Sequence, residues 1–256
     1  MPKQRSLMLV LTAAVAILLA ATGCSTLVEQ KSPLPRVETT APALVPVSRA
    51  SEDWWMDRHA QCKAAAEKGG IDVLFIGDSI TQAWEEDGAD IWKNEIAPLR
   101  AANFGFSGDR TQHVLWRLDN GELPQALHPK AAVIMIGTNN TGHNMEKPEA
   151  IAAGIGAIVD KLHQHNPKTR ILLLAIFPRG AKPDDKMRRN NDAVNALLAK
   201  LEGYKRVHYL DIGPKFLQAD GTLPQEIMPD LLHLSPKGYQ IWADNVVPEI
   251  KKFLRK

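Results

Sequence analysis

Five short stretches of the chain read as strands, most of them apolar almost without a break: "DVLFIG" from Asp72, "AANFG" from Ala101, "AAVIMIG" from Ala131, "RILLLAIFP" from Arg170 and "RVHYLDIG" from Arg206. A strand with one face in water alternates apolar and polar residues, whereas most of these runs have the continuous character of strands covered on both faces. Between them, "DWWMDRHAQCKAAAEK", "TQHVLWRL", "PEAIAAGIGAIVDKLHQH" and "DDKMRRNNDAVNALLAKL" carry apolar residues at helical spacing. A last helix is expected within "SPKGYQIWADNVVPEIKKFLRK", with Ser235 as N-cap and Pro236 at the first helical position. Such alternation predicts an α/β domain in three layers, a parallel sheet between two layers of helices. The chain shows no internal repeat.

Ahead of that pattern, Lys3 and Arg5 precede an apolar run from Leu7 to Ala21, then small residues and Cys24. Residues 1–24 read as a secretion signal, the run falling short of the roughly 18 residues of a spanning helix. "ATGCS" resembles the lipobox of bacterial lipoproteins, with Cys24 as the lipid-modified residue and Ala21 in place of the usual leucine. An ordinary signal cleaved nearby and a signal retained as an anchor are the alternatives. Residues 25–50 hold Pro33, Pro35, Pro42 and Pro46 without periodicity and are expected to form a tether. Fully extended, it would reach roughly 70 Å at about 3.1 Å per residue. The domain is then expected over 51–256, on the extracytoplasmic side and membrane-anchored. Cys62 is the remaining cysteine and has no internal disulfide partner. A formal charge of +2 on 256 residues argues against a nucleic-acid partner.

Open parallel sheets place their sites beyond the carboxyl ends of the strands. There the sequence has Gly77, Asp78 and Ser79 after the first strand, Gly105 to Asp109 after the second and Gly137 to Asn140 after the third. A serine at a helix start can serve as a nucleophile, since the N–H groups there favour developing negative charge. Asp78 or Ser79 capping the next helix is the plainer reading. Serine needs a base, and the base an orienting group. Asp230 and His233 in "DLLH" can supply both, although a metal site or a surface loop fits that spacing too. The glycine turn of "NFGFSGD" and the asparagines of "GTNN" offer neutral donors for an oxyanion, or simply form turns.

Taken together, "GDS", "NFGFSGD", "GTNN" and "DLLH" stand in the order of the four blocks of SGNH, or GDSL-type, hydrolases, which the chain resembles from about Trp54 onward. Within that superfamily, "NFGFSGDRTQHVLWRLDNGEL", "GTNN" and "PRGAKP" are most similar to the catalytic subunits of platelet-activating-factor acetylhydrolase and their bacterial relatives. The resemblance implies a flavodoxin-like five-stranded parallel sheet and a serine esterase that works through an acyl-enzyme without metal or cofactor. It implies Ser79 as nucleophile, His233 as general base and Asp230 as its orienting carboxylate. The oxyanion donors would be the backbone N–H groups of Ser79 and Gly108 and the side chain of Asn139. Ile80, Thr138 and Leu232 are the implied acyl-pocket positions, favouring short acyl groups. Ile80 replaces the leucine of the family name, and Asn140 stands where many members have aspartate. The implied substrate is a small acylated molecule, an acetylated sugar or a lipid. A lysophospholipase or thioesterase, or a non-catalytic binding module with an inherited pocket, are the alternatives.

Other features carry plainer expectations. "GDSIT" lacks the second glycine of the α/β-hydrolase elbow, and Gln82 stands where penicillin-binding types have lysine. His163 and His165 read as solvated residues near a helix end rather than metal ligands, and "KMRRNN" as an exposed helix face. Trp54, Trp55 and Trp116 read as packing residues.

Overall fold

A computed structural model describes residues 30–255. The signal-like run and Cys24 lie outside the described residues. Helix α1 (Asp53–Lys68) leads into β1 (Val73–Gly77), followed by two short helices, α2 (Ser79–Gln82) and α3 (Ala89–Ile91), and by β2 (Ala101–Gly105). Then come α4 (Thr111–Arg117), β3 (Ala131–Met135), α5 (Thr138–Asn144), α6 (Pro148–His165), β4 (Arg170–Leu174), α7 (Lys186–Leu198), β5 (Val207–Leu210) and α8 (Pro236–Leu254). The five strands pair in parallel in the order β2-β1-β3-β4-β5. The connection from β1 runs to one side and the connection from β2 returns to the other. The carboxyl end of β1 therefore lies at a topological switch point, where open α/β sheets form their crevices.

Alternate residues of each strand enter different cores, which explains the unbroken apolar runs. Leu74 and Ile76 of β1, Ala132 and Ile134 of β3, and Ile171 and Leu173 of β4 pack with α1, α4, α6 and α7. Val73 and Phe75, Val133 and Met135, and Leu172 and Leu174 face the other way, toward α8, Trp84 and Ile96. Helix α6 buries Ile151, Ile155, Ile158, Val159 and Leu162 along one stripe, at the spacing that a helix on a sheet requires. Helix α8 starts as expected: the Ser235 hydroxyl accepts from the Gly238 N–H at 3.3 Å, and Pro236 occupies the first turn. Cys62 is buried and unpaired, and burial pushes its thiol up to about 12.

The segment expected to be a free tether is packed over much of its described length. Pro42–Leu44 form a short helical turn with Ala43 fully buried, the Thr111 hydroxyl donates to the Ala43 carbonyl at 2.8 Å, and the Val47 N–H donates to the Gln112 carbonyl at 3.2 Å. Two glycines of α6 make room for it. A Cβ on Gly154 would lie 2.6 Å from the Ala43 carbonyl oxygen, and one on Gly156 would lie 2.8 Å from Leu34 Cδ1. The prolines therefore shape a strap laid along α6, and the packed body begins well before Ser51.

Two further expectations need correction. "KMRRNN" is not an exposed face: Arg188 is buried and donates to the carbonyls of Arg179, Gly180 and Gly221, and Asn191 is fully buried. His165 is half-buried, its Nε2 lying 2.6 Å from the Leu127 carbonyl, because the end of α6 packs against the loop before β3. Among the tryptophans, Trp55 is fully buried, while Trp54 stays 42% exposed under the Arg49 guanidinium.

Candidate active site

Strand β1 ends in Gly77, and the chain turns at once into α2 with Asp78 as its N-cap. One Asp78 oxygen accepts from the Ile80 N–H at 3.1 Å. Asp78 thus does the capping, and Ser79 is left at the first helical position with its hydroxyl toward the end of the sheet. The Asp78 side chain is fully buried and its other oxygen has no partner among the described residues. Burial pushes this carboxyl up to about 7, against the opposing pull of the Ile80 N–H and of His233.

Ser79 Oγ lies 2.9 Å from His233 Nε2, and His233 Nδ1 lies 2.6 Å from Asp230 Oδ2. The other Asp230 oxygen accepts from the backbone N–H groups of Leu232 at 3.0 Å and His233 at 2.7 Å. Partial burial works against the charged form of Asp230, but the His233 ring and these N–H groups hold its carboxyl below the usual range. A carboxylate at Nδ1 fixes the imidazole tautomer with its lone pair on Nε2, toward the serine. The side chains of His233 and Asp230 are 41% and 56% exposed, so water reaches the pair directly. Helix α8 braces the arrangement from below, the Tyr239 hydroxyl donating to the Ile80 carbonyl at 2.7 Å.

Three donors stand in the loops after β1, β2 and β3. The backbone N–H groups of Ser79 and Gly108 have no acceptor among the described residues. Asn139 Nδ2 donates one hydrogen to the Asp109 carbonyl at 3.0 Å, which fixes the amide and leaves its second N–H for a ligand. Gly108 has φ 74°, a left-handed conformation that favours glycine. The turn around it is held on both sides: the Ser107 N–H donates to Gln82 Oε1 at 2.6 Å, and Arg49 donates to the Ser107 carbonyl at 2.5 Å. Asp109 is fixed by the buried Arg117 guanidinium at 2.8 Å and by Trp55 Nε1 at 2.8 Å. Arg179 donates to the carbonyl and the hydroxyl of Thr138, at 2.9 and 3.1 Å, and so holds the start of α5.

The sequence singled out Ser79, Asp230, His233, Gly108 and Asn139; the fold brings the first three into hydrogen-bonding distance of one another and ties Asn139 to the Gly108 turn through the Asp109 carbonyl. Ile80, Thr138 and Leu232 are placed differently. Ile80 and Thr138 are buried and Leu232 is half-buried. The cleft beside the serine, about 330 Å³, is instead lined by Ser79, Gln82, Ala83, Glu86, Asp87, Ser107 and His233. Ile80 follows the cap into the core below α8, and the Thr138 hydroxyl is taken up by Arg179 and Asn191. Arg49, Arg117 and Arg179 were missed. An arginine that holds a loop by donating to main-chain carbonyls leaves no spacing to read, although Arg117 inside an apolar helical stretch was a visible anomaly.

The fold and this crevice define an ester-hydrolysing serine hydrolase. The chain belongs to the GDSL-like Lipase/Acylhydrolase family, whose profile it matches over residues 75–241. It is 43% identical over 188 residues to platelet-activating factor acetylhydrolase IB subunit alpha1 of Bos taurus, covering 72% of this chain and 77% of the relative. The alpha2 subunit of Gallus gallus is 39% identical over 202 residues, covering 77% of this chain and 85% of its own length. Among solved structures, an acetylxylan esterase from Geobacillus stearothermophilus superposes with a TM-score of 0.57 at 20% identity, covering 71% of this chain and 94% of its own. A putative platelet activating factor protein from Streptococcus pneumonia gives a TM-score of 0.62 at 22% identity, covering 79% and 97%. At those identities the two structures speak for the fold alone.

Proposed function

We propose that the chain hydrolyses short-chain acyl esters, acetyl esters above all, through an acyl-enzyme on Ser79. The 2.9 Å and 2.6 Å contacts that join Ser79, His233 and Asp230 carry this reading. His233 Nε2 takes the serine proton as Oγ attacks the ester carbonyl, Asp230 stabilises the imidazolium, and the tetrahedral oxyanion is received by the N–H groups of Ser79, Gly108 and Asn139. His233 then gives the proton to the leaving alkoxide. In the second half it activates water against the acyl-serine, releasing the acid and restoring the hydroxyl.

The cleft supports the preference for a small acyl group. Its volume is modest, and Ala83 is the one apolar residue lining it, so a long acyl chain finds little room to bury itself there. The curated relative at 43% identity carries a name that points the same way, an acetylhydrolase. Turnover of p-nitrophenyl esters of increasing chain length tests it. kcat/KM should be highest for acetate and fall with each added pair of methylenes; a maximum at eight or more carbons would favour the lysophospholipase or thioesterase alternative.

We also infer from the leader that the protein is attached to a membrane through Cys24. Cys24→Ser should move it to the soluble fraction, and unchanged membrane fractionation would refute the attachment.

A further inference from the structure

At the opposite end of the sheet from Ser79, a cleft of about 740 Å³ opens at the amino ends of β3, β4 and β5. Lys130, Lys168, Arg170 and Arg206 line it, together with the half-buried Phe253 and Leu254 from the end of α8, and no carboxylate does. Lys130 lies 3.4 Å from Asp72, but Lys168, Arg170 and Arg206 make no ion pair among the described residues. Arg170 lies instead over the Phe253 ring, 5.7 Å from its centroid. A protein of net charge +2 thus gathers four cations around one apolar edge, on the face that the ester chemistry does not use.

The chain also enters the packed body at this end. The Lys205 N–H, one residue before Arg206, donates to Gln30 Oε1 at 3.2 Å. Since the strap is already laid along α6 beyond Gln30, only the six residue-to-residue steps from Cys24 to Gln30 remain to span any gap to a membrane. Extended, they cover about 20 Å, not the roughly 70 Å of a free tether.

We propose that this basic cleft rests on anionic phospholipid headgroups, with Phe253 and Leu254 at the headgroup boundary, so that Ser79 and its crevice face away from the bilayer. Basic side chains near an anionic surface each strengthen partitioning by about fivefold, and apolar residues beside them add contact with the interface. Acylation of Cys24 would place the domain within reach, but the charge preference does not depend on it.

The experiment is flotation of the full chain, with Lys3→Gln and Arg5→Gln in every sample so that the leader adds no charge preference, with vesicles of phosphatidylcholine alone or with about one third phosphatidylglycerol, read as the ratio of the two partition coefficients so that the apolar run of the leader cancels. Wild type should prefer the anionic vesicles by at least about tenfold at low salt and lose that preference in about 0.5 M salt, where the Debye length falls to a few ångströms. The triple variant Lys130→Glu, Lys168→Glu, Arg206→Glu should bring the ratio close to one while keeping p-nitrophenyl acetate turnover. Equal partition of wild type, a preference that survives salt, or a turnover-competent triple variant with undiminished preference would overturn the proposal. So would binding of soluble polyphosphate without any preference for anionic vesicles. Should the triple variant fail to fold, the milder Lys130→Gln, Lys168→Gln, Arg206→Gln variant takes its place and is read in the same way.

Discussion

Leu231, between Asp230 and the residues its carboxylate serves, has φ 63°, a left-handed conformation that costs a bulky side chain about 1–2 kcal/mol. That turn lets the Asp230 carboxylate face back onto the N–H groups of Leu232 and His233 and onto the imidazole, so the strain lies where orientation is needed. Asn139 belongs to the same scale. Asn139→Ala should lower kcat by about 10²–10³ with little change in KM, because the donor it removes acts on the oxyanion rather than the ground-state ester; a rise in KM alone would assign it to binding. Asp78 gives a pH signature. Its folded value near 7 exceeds the roughly 3.9 of an unfolded aspartate, so the native state holds the extra proton and loses stability as pH rises between those values. Asp78→Asn, which keeps the acceptor for the Ile80 N–H, should therefore gain on wild type by up to about 4 kcal/mol between pH 4 and pH 8. Denaturant melts at both ends of that range check it, and a pH-independent difference would contradict it. Ser79, Asp230 and His233 were legible through the order of the family's blocks, since only Ser79 directly follows a strand and Asp230 and His233 lie far along the connection after β5. The burial of Ile80 and Thr138 was not, since position next to a reactive residue does not say which way a side chain turns.

The strands were the most legible elements, because cover on both faces leaves an apolar run that few other structures tolerate. The strap along α6 was the least: a proline-rich stretch reads alike whether it is free or docked, and only the groove left by Gly154 and Gly156 decides. Its docking carries Arg49 onto the Gly108 turn, where the guanidinium also pairs with Glu52 at 2.7 Å and with Asp109 at 3.2 Å. Arg49→Ala should let that turn drift and lower kcat by up to about 10²-fold, as small misplacements of a reacting centre do, with KM nearly unchanged. Arg49→Lys should restore part of the loss. Equal losses in both variants, tracking a fall in thermal stability, would reduce Arg49 to a structural role.

At the scale of the whole molecule, alternation of strands and helices established the layers but not the strand order, since several right-handed crossovers satisfy the same pattern. The order matters: with β1 between β2 and β3, the loops that carry Gly108 and Asn139 follow the two strands flanking the one that ends at Ser79. The long connection after β5 then has only to reach over the end of β1 to deliver Asp230 and His233. One end of the sheet holds the ester chemistry and the other the basic cleft. The central claim is that the Ser79 hydroxyl, activated by His233, is the group that takes up the acyl chain. Labelling with a fluorophosphonate probe, followed by peptide mass spectrometry, tests it most directly. The account predicts one adduct, on Ser79, absent in Ser79→Ala and slowed by several orders of magnitude in His233→Ala; an adduct on another residue, or ester hydrolysis undiminished in Ser79→Ala, would contradict it.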